Sequence, residues 1–291
     1  MPRPGGGRGR PISFSVRCAS LVNPLLDVRN LTIVAPDGVR LIVDDLSFSI
    51  AAGETLAVVG ESGAGKSMTG LAVLGLVPPP LRVTGGEIRW RGRDLHPLTG
   101  REWRAIRGAE IGLVFQEPSA AMDPAMQVGA QIAEVLRVHR GLDRRAARRQ
   151  AIALMERVRI ADAARRYHAY PHEMSGGMLQ RIALAIAIAC EPALLIADEP
   201  TTALDASVQR GVLELLAELQ SELGMALLFI THNLALVAEM ADRVLVLRDG
   251  RAVEQADVIA LFERPQARYT QELLAASPRP PAAAPRENLQ R

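Results

Sequence analysis

The sequence predicts an α/β fold with a mainly parallel central sheet, and three observations lead to that prediction. Short apolar runs rich in β-forming residues recur along the chain, helical segments separate them, and a glycine-rich loop stands directly between one such run and a helix. Continuous apolar runs are typical of strands that are buried on both faces of a parallel sheet. With 291 residues and 48% hydrophobic content, the chain is long enough to bury a large core.

The strands are predicted in the following order. Residues 25–34 and 41–50 alternate in polarity around the turn at residues 36–38, which indicates antiparallel strands and therefore a side sheet. The candidates for buried parallel strands are residues 55–59, 111–115, 193–197, 226–230 and 244–247. A helix is expected over residues 66–76, directly after the glycine-rich loop.

The segment between Phe115 and Ala193 contains no convincing strand. Apolar residues recur there at helical spacing in residues 128–136, in an arginine-rich segment and in residues 179–189. We therefore expect a helical subdomain, about residues 116–190, inserted into the α/β core. The predicted domain division is a disordered tail over residues 1–24, a domain over 25–262, and a short C-terminal extension and flexible Pro- and Ala-rich tail over 263–291.

Composition and charge exclude several classes of function. The formal net charge is only +2, which gives no case for a nucleic-acid partner. The run Arg144, Arg145, Arg148 and Arg149 is either a phosphate-binding patch or, as the helical spacing favours, a solvated helix face. The two cysteines, Cys18 and Cys190, belong to no metal-binding pattern. The longest strongly apolar stretch, residues 182–190, is far shorter than the ~20 residues that a membrane-spanning helix needs.

The glycine-rich loop has the pattern G-x-x-x-x-G-K-S. Its residues are Gly60, Glu61, Ser62, Gly63, Ala64, Gly65, Lys66 and Ser67. Lys66 is the only lysine in the chain, so a compact point charge is kept at this position while arginine serves elsewhere. The loop's backbone N–H groups and the helix N-terminus are suited to phosphate, and Ser67 is suited to Mg²⁺. The alternative is a chance glycine-rich turn, which the flanking strand and helix disfavour.

An acidic pair, Asp198 and Glu199, follows the predicted strand 193–197. We expect this strand to lie beside the strand of the glycine-rich loop, with both carboxylates at its carboxyl end. Read alone, the pair is more often a solvated turn. Read together with the loop, Asp198 is predicted to hold the Mg²⁺ shell and Glu199 to face the attacking water of a nucleoside triphosphatase.

Further motifs complete a resemblance. Residues 174–181 (MSGGMLQR) are similar to the LSGGQ signature, and Gln116 in VFQEP, Asp205 in TTALD and His232 in ITHN stand in the matching order. Over nearly all of residues 25–275 the chain resembles the ATP-binding subunits of ABC transporters. The resemblance implies an α/β, P-loop NTPase (ABC ATPase) core with a mainly parallel sheet, an antiparallel β side sheet and a helical subdomain insertion.

The resemblance also implies roles for these residues, with ATP and Mg²⁺ as cofactors. Ser175, Gly176 and Gly177 open a helix as a second anion site, which in this family faces the partner's P-loop across a head-to-tail dimer. Glu199 is then the general base and His232 contacts the γ-phosphate. Gln116 senses Mg²⁺ or water. Asp205 shapes the dimer seam, or is a plain helix N-cap, and the two are compatible.

Within ABC proteins, the likeness is to the oligopeptide/dipeptide/nickel importer group, through GESGAGKS, residues 170–173 (YPHE) and residues 268–270 (RYT). It implies two transmembrane permease subunits, a second and different ATP-binding subunit, an extracytoplasmic substrate-binding protein, and a place at the cytoplasmic face of the cell membrane.

The alternative functions are those of a soluble ABC ATPase that acts on nucleic acid or ribosomes, and of an exporter subunit. One departure is that no aromatic residue precedes the P-loop where adenine usually stacks; Val34 and Ala35 are nearest.

Overall fold

A six-stranded sheet and a four-stranded sheet organise the molecule, whose computed structural model describes residues 23–202 and 204–276. The strands are β1 (Leu26–Val34), β2 (Leu41–Ile50), β3 (Thr55–Val59), β4 (Arg82–Trp90), β5 (Arg93–Asp94), β6 (Ile111–Val114), β7 (Leu194–Asp198), β8 (Ala226–Ile230), β9 (Arg243–Arg248) and β10 (Arg251–Asp257). The helices are α1 (Lys66–Val73), α2 (Gly100–Ile106), α3 (Val128–Arg140), α4 (Arg144–Arg157), α5 (Ala163–Arg166), α6 (Gly176–Ile188), α7 (Ala206–Leu223), α8 (Leu234–Met240), α9 (Val258–Glu263) and α10 (Arg268–Ala276). The tail predicted for residues 1–24 lies almost entirely outside the described residues.

The larger sheet has the strand order β10-β9-β3-β8-β7-β6, and all neighbours pair in parallel except β10, which is antiparallel to β9. The mainly parallel sheet predicted from the apolar runs is therefore confirmed. One expectation about its order is wrong, because β8 lies between β7 and β3. The parallel neighbours of β3 are thus β8 and β9, and not β7 with its acidic pair. The strand sequences by themselves do not encode this order.

The smaller sheet is antiparallel, with the order β2-β1-β4-β5, and it confirms the predicted side sheet. Its strand β4 was not predicted, because the pair Gly85-Gly86 interrupts the pattern of residues 82–90. Gly86 has φ of 96°, and a Cβ atom on it would lie 2.5 Å from the carbonyl oxygen of Arg29. The glycine therefore permits an irregularity where β4 closely approaches β1.

The core lies on both faces of the larger sheet, because side chains alternate along each strand. In β3, Leu56 and Val58 pack with the side sheet and α1, whereas Ala57 and Val59 pack with the helices on the opposite face. Phe229 on β8 is completely buried on that helical face. The sheet is therefore sandwiched, and its carboxyl edge is where the loops that follow the strands converge.

Between β6 and β7, the described residues form helices and short 3₁₀ turns, in agreement with the predicted helical insertion. In α4, Ala147 and Ala151 are fully buried while the four arginines of the run are exposed, which agrees with the solvated-face interpretation. Asp143 caps this helix by accepting a hydrogen bond from the backbone N–H of Ala146 at 2.8 Å.

Within residues 23–202 and 204–276, every helix is too short or too polar to span a bilayer.

Part of the C-terminal extension predicted over residues 263–291 is helical, whereas the predicted Pro- and Ala-rich tail beyond residue 276 lies outside the described residues. Residues 268–276 form α10, whose Tyr269 and Thr270 are buried. The Glu254 carboxylate on β10 accepts hydrogen bonds from the backbone N–H groups of Gln266 and Ala267, just before the helix begins. Tertiary contacts therefore order this short helix, which the Pro- and Ala-rich composition beyond it obscured.

Candidate functional site

The glycine-rich loop connects β3 to α1 and depends on close backbone approaches. A Cβ atom on Gly60 would lie 2.2 Å from the carbonyl oxygen of Leu247 on β9, and one on Gly65 would lie 2.6 Å from the carbonyl oxygen of Ile42 on β2. Gly65 also has φ of 95°, which side chains rarely tolerate. The glycines are therefore required both by the turn and by the two neighbouring strands.

Lys66 is buried at the first position of α1, with 6% of its surface exposed. Its Nζ donates hydrogen bonds to the carbonyl oxygens of Gly60 and Glu61, both at 2.9 Å. Burial lowers the pKa of Lys66, while the nearby carboxylates of Glu199 and Asp198 act in the opposite direction. The only lysine of the chain is thus held inside the loop by two carbonyl groups of the loop itself.

Ser67, which lies after β3, and Asp198, which ends β7, are brought together although these two strands are not neighbours. The Ser67 hydroxyl donates to Asp198 Oδ1 at 3.0 Å. The contact is possible because α1 lies closely across β8 and β7: a Cβ atom on Gly70 would lie 3.0 Å from Ile230 Cδ1 and 3.2 Å from Ile196 Cγ2. Burial raises the pKa of Asp198, and the hydrogen bond from Ser67 opposes that effect.

Ser67 and Asp198 together offer the hard oxygen donors that Mg²⁺ prefers. Among the described residues, no group of three or more His, Cys, Asp and Glu side chains could enclose a metal ion. A magnesium site that uses one or two protein oxygens together with substrate phosphates needs no such cage. The residues present therefore fit this metal in a nucleotide complex.

Glu199 is the most constrained carboxylate of the site. Its Oε1 lies 3.0 Å from His232 Nδ1, and its Oε2 accepts hydrogen bonds from Thr202 Oγ1 at 2.9 Å and Gln116 Nε2 at 3.1 Å. Its φ of 45° lies in the left-handed region, where non-glycine residues are uncommon and strain is often associated with function.

The electrostatics keep Glu199 ionised. Burial would raise the pKa of Glu199, but hydrogen bonds from His232 and Thr202 outweigh burial, so that the pKa lies below its ordinary value. The side chain is 14% exposed, whereas that of His232 is 55% exposed. A largely buried carboxylate therefore faces an accessible imidazole, and the hydrogen bond requires the proton of that ring to be on Nδ1.

His232 lies in the short connection between β8 and α8, and the next residue, Asn233, directly precedes α8. Asn233 caps that helix, because its Oδ1 accepts a hydrogen bond from the backbone N–H of Ala235 at 3.0 Å. Asparagine therefore serves here as the N-cap of α8.

The signature segment forms a separate part of the predicted site. Ser175 caps α6 by accepting a hydrogen bond from the backbone N–H of Met178 at 3.4 Å. A Cβ atom on Gly177 would lie 2.4 Å from Val208 Cγ1, so glycine is needed where α6 meets α7. No hydrogen bond between described residues joins residues 175–177 to the P-loop. Among the described residues, these two predicted parts of the nucleotide site therefore have no direct hydrogen-bonded link.

Asp205 is an N-cap of α7 in this structure. Its Oδ1 accepts hydrogen bonds from the backbone N–H groups of Ser207 at 3.1 Å and Val208 at 3.0 Å. This supports the capping alternative and leaves the dimer-seam role a prediction.

Sequence reasoning missed Thr202, whose hydroxyl completes the shell of Glu199. The available signal was a threonine placed three residues after a candidate general base.

The residues considered for adenine contact, Val34 and Ala35, are 8% and 7% exposed, so they offer little surface to the adenine ring.

Comparison with known proteins agrees with this geometry. The family model described as ABC transporter matches residues 43–202. A putative peptide import ATP-binding protein of Brucella abortus (strain 2308) is 49% identical over 257 residues, which cover 88% of this chain and 77% of that protein. The dipeptide transport ATP-binding protein DppD of Escherichia coli (strain K12) is 48% identical over 236 residues, covering 81% and 72%.

Among solved structures, the dimeric ATP-binding cassette MJ0796, in a post-hydrolysis state bound to ADP and Pi, matches with a TM-score of 0.71 and 25% sequence identity. The match covers 80% of this chain and 98% of that chain. The resemblance inferred from the motifs is confirmed. The chain belongs to the ABC transporter family and is an ATPase of the ATP-binding cassette kind.

Proposed function

We propose that this ATPase energises the import of small peptides through partner membrane subunits. The observation that best supports coupling is the hydrogen bond from Gln116 to Glu199, because Gln116 lies just before the first 3₁₀ turn of the helical segment and Glu199 is the candidate base. A change at the γ-phosphate that displaces Glu199 would also displace the start of that segment. Hydrolysis would in this way produce motion at a surface suited to docking a permease.

The chemistry proposed for the site is hydrolysis by an activated water molecule. The ionised Glu199 accepts a proton from the attacking water, and His232 orients that carboxylate through Nδ1. Lys66 and the loop N–H groups bind the β- and γ-phosphates. Ser67, Asp198 and Gln116 are the residues proposed to hold Mg²⁺, which when bound neutralises charge on the phosphates.

The proposed assembly is a dimer with a different ATPase. No hydrogen bond between described residues joins the signature segment to the P-loop, which is compatible with a site completed by a partner, in which Ser175, Gly176 and Gly177 face the partner's phosphates. Met178 replaces the usual signature glutamine, which favours two unlike subunits. With two permease subunits and an extracytoplasmic binding protein, the complex would place this chain at the cytoplasmic face of the membrane.

The dimer proposal is testable with the purified chain. Glu199→Gln keeps the phosphate loop but removes the proposed base, so any dimer that the variant forms with ATP should persist. If the partner must be a different ATPase, the purified variant alone should remain a monomer in size-exclusion chromatography with ATP. A stable homodimer would contradict the heterodimer proposal.

The function is tested by uptake in cells that lack this gene, with a labelled dipeptide and radioactive nickel as parallel cargoes. The relatives' names favour the peptide, whereas nickel was the alternative from sequence. Rescue of dipeptide uptake by the wild-type chain and not by Lys66→Ala supports the proposal. If the wild-type chain restored only nickel uptake, the transported substrate would be nickel and not a peptide. If deletion of the gene changed the uptake of neither substrate, import of both would be contradicted.

A further inference from the structure

The C-terminal helix α10 is held against β10 and the P-loop. Its N-terminal side is held by the Glu254 carboxylate, which accepts from the backbone N–H groups of Gln266 at 2.8 Å and Ala267 at 2.9 Å. Tyr269 is 6% exposed and Thr270 is completely buried. The helix therefore presents a buried tyrosine in a fixed position, outside the residues assigned to nucleotide binding.

The hydroxyl of Tyr269 contacts the P-loop directly. It accepts a hydrogen bond from the backbone N–H of Glu61 at 3.3 Å. This N–H belongs to the same peptide group as the Gly60 carbonyl, which accepts from Lys66 Nζ at 2.9 Å. One planar peptide group is thus held by Tyr269 at its N–H and by Lys66 at its carbonyl.

The tyrosine ring is itself restrained. The Arg248 guanidinium carbon lies 4.7 Å from the ring centroid, a cation–π distance. Arg248 ends β9, and the preceding carbonyl, that of Leu247, is the one approached closely by Gly60. The end of β9 therefore supports both the ring and the peptide group that the ring's hydroxyl contacts.

Hydrogen bonds that share a peptide group polarise one another, so a bond at the N–H strengthens the carbonyl as an acceptor. We propose that Tyr269 is a positioning residue for nucleotide binding, which orients the Gly60–Glu61 peptide and through it the Lys66 ammonium group. This inference rests on the proposed phosphate-binding role of Lys66. It gives the C-terminal helix a part in nucleotide affinity, although the helix lies far along the chain from the loop.

The test compares full-length wild type, Tyr269→Phe, Thr270→Val and Lys66→Ala in titrations with ATP and ADP. Tyr269→Phe keeps the ring and its contact with Arg248 while it removes only the hydroxyl. Thr270→Val is the matched control, because it removes a hydroxyl from the same helix and Thr270 Oγ1 has no hydrogen-bond partner among the described residues. Isothermal titration at a temperature well below unfolding gives Kd, and thermal melts without nucleotide give Tm.

We expect Tyr269→Phe to raise Kd by about two- to five-fold, as the loss of one hydrogen bond predicts. Thr270→Val should leave Kd unchanged. A lower Tm for Tyr269→Phe with an unchanged Kd would show a merely structural tyrosine and overturn the inference, as would equal shifts in both variants. If the wild type bound neither nucleotide, the proposed nucleotide function would fail as well, so the two failures are distinguishable.

Discussion

Glu199 Oε1 lies 3.0 Å from His232 Nδ1, and this contact joins the carboxyl ends of the neighbouring strands β7 and β8. The same carboxylate accepts hydrogen bonds from Thr202 and Gln116, so that three side chains from different segments converge on it. Such a shell fixes the orientation of Glu199, the proposed general base, and favours its charged form.

Glu199→Gln should abolish hydrolysis while ATP binding persists, because the amide retains the shape of the side chain but cannot accept the proton from water. General-base loss of this kind costs about 10²- to 10⁴-fold in rate. The measurement is ATPase activity of the assembled complex, with ATP affinity determined in parallel. Hydrolysis near the wild-type rate would show that another group is the base.

Thr202→Val should move the acid limb of the ATPase pH profile to higher pH. The Thr202 hydroxyl stabilises the charged form of Glu199, and the pKa of Glu199 is lowered in part by this bond. Removing the bond raises that pKa, so a higher pH is needed to ionise the base. The kcat profile of the complex measures the shift, and Thr202→Ser, which keeps a hydroxyl, is the control. A shift to lower pH in the valine variant would contradict this assignment.

Ser67→Ala should raise the Mg²⁺ concentration that ATPase activity requires. The variant loses the oxygen that lies 3.0 Å from Asp198 Oδ1. We expect the Mg²⁺ concentration for half-maximal ATPase activity to rise by about ten-fold or more. The titration is made at saturating ATP, and Ser67→Thr, which retains the hydroxyl, should stay close to wild type. An unchanged Mg²⁺ requirement in the alanine variant would remove Ser67 from the proposed metal site.

Gly129→Ala should destabilise the helical segment through overpacking. A Cβ atom at Gly129 would lie 2.1 Å from Tyr167 Cδ2 and 2.8 Å from Tyr167 Cα, so the ring cannot simply rotate away. The expected cost in the free energy of unfolding is about 1–3 kcal/mol. Urea denaturation measures it. Gly100→Ala is the control, since nothing lies within 4 Å of its added Cβ, and it should be neutral or slightly stabilising.

Much of the fold was predictable because its signals are local. Residues 41–50, 55–59 and 226–230 form strands over the predicted bounds, since uninterrupted apolar or alternating runs are recorded directly in the sequence. Strand β4 was missed because Gly85-Gly86 imitates a turn, and α10 was missed because it is short and depends on Glu254 for its start. The P-loop was predictable for the same reason as the strands: its turn, charge and hydroxyl lie in one short segment.

The sequence by itself determined the order of strands and helices, the phosphate loop with its single lysine, and the residue types expected around a nucleotide. Only the tertiary structure decided which distant residues meet: Ser67 with Asp198 across β8, Thr202 with Glu199, and Tyr269 with the Glu61 backbone. The physical reason is that periodicity and local pattern fix how a segment folds and which face it buries. The order of strands in a sheet, and the close approach of helices to it, are set by packing among segments that lie far apart in the chain.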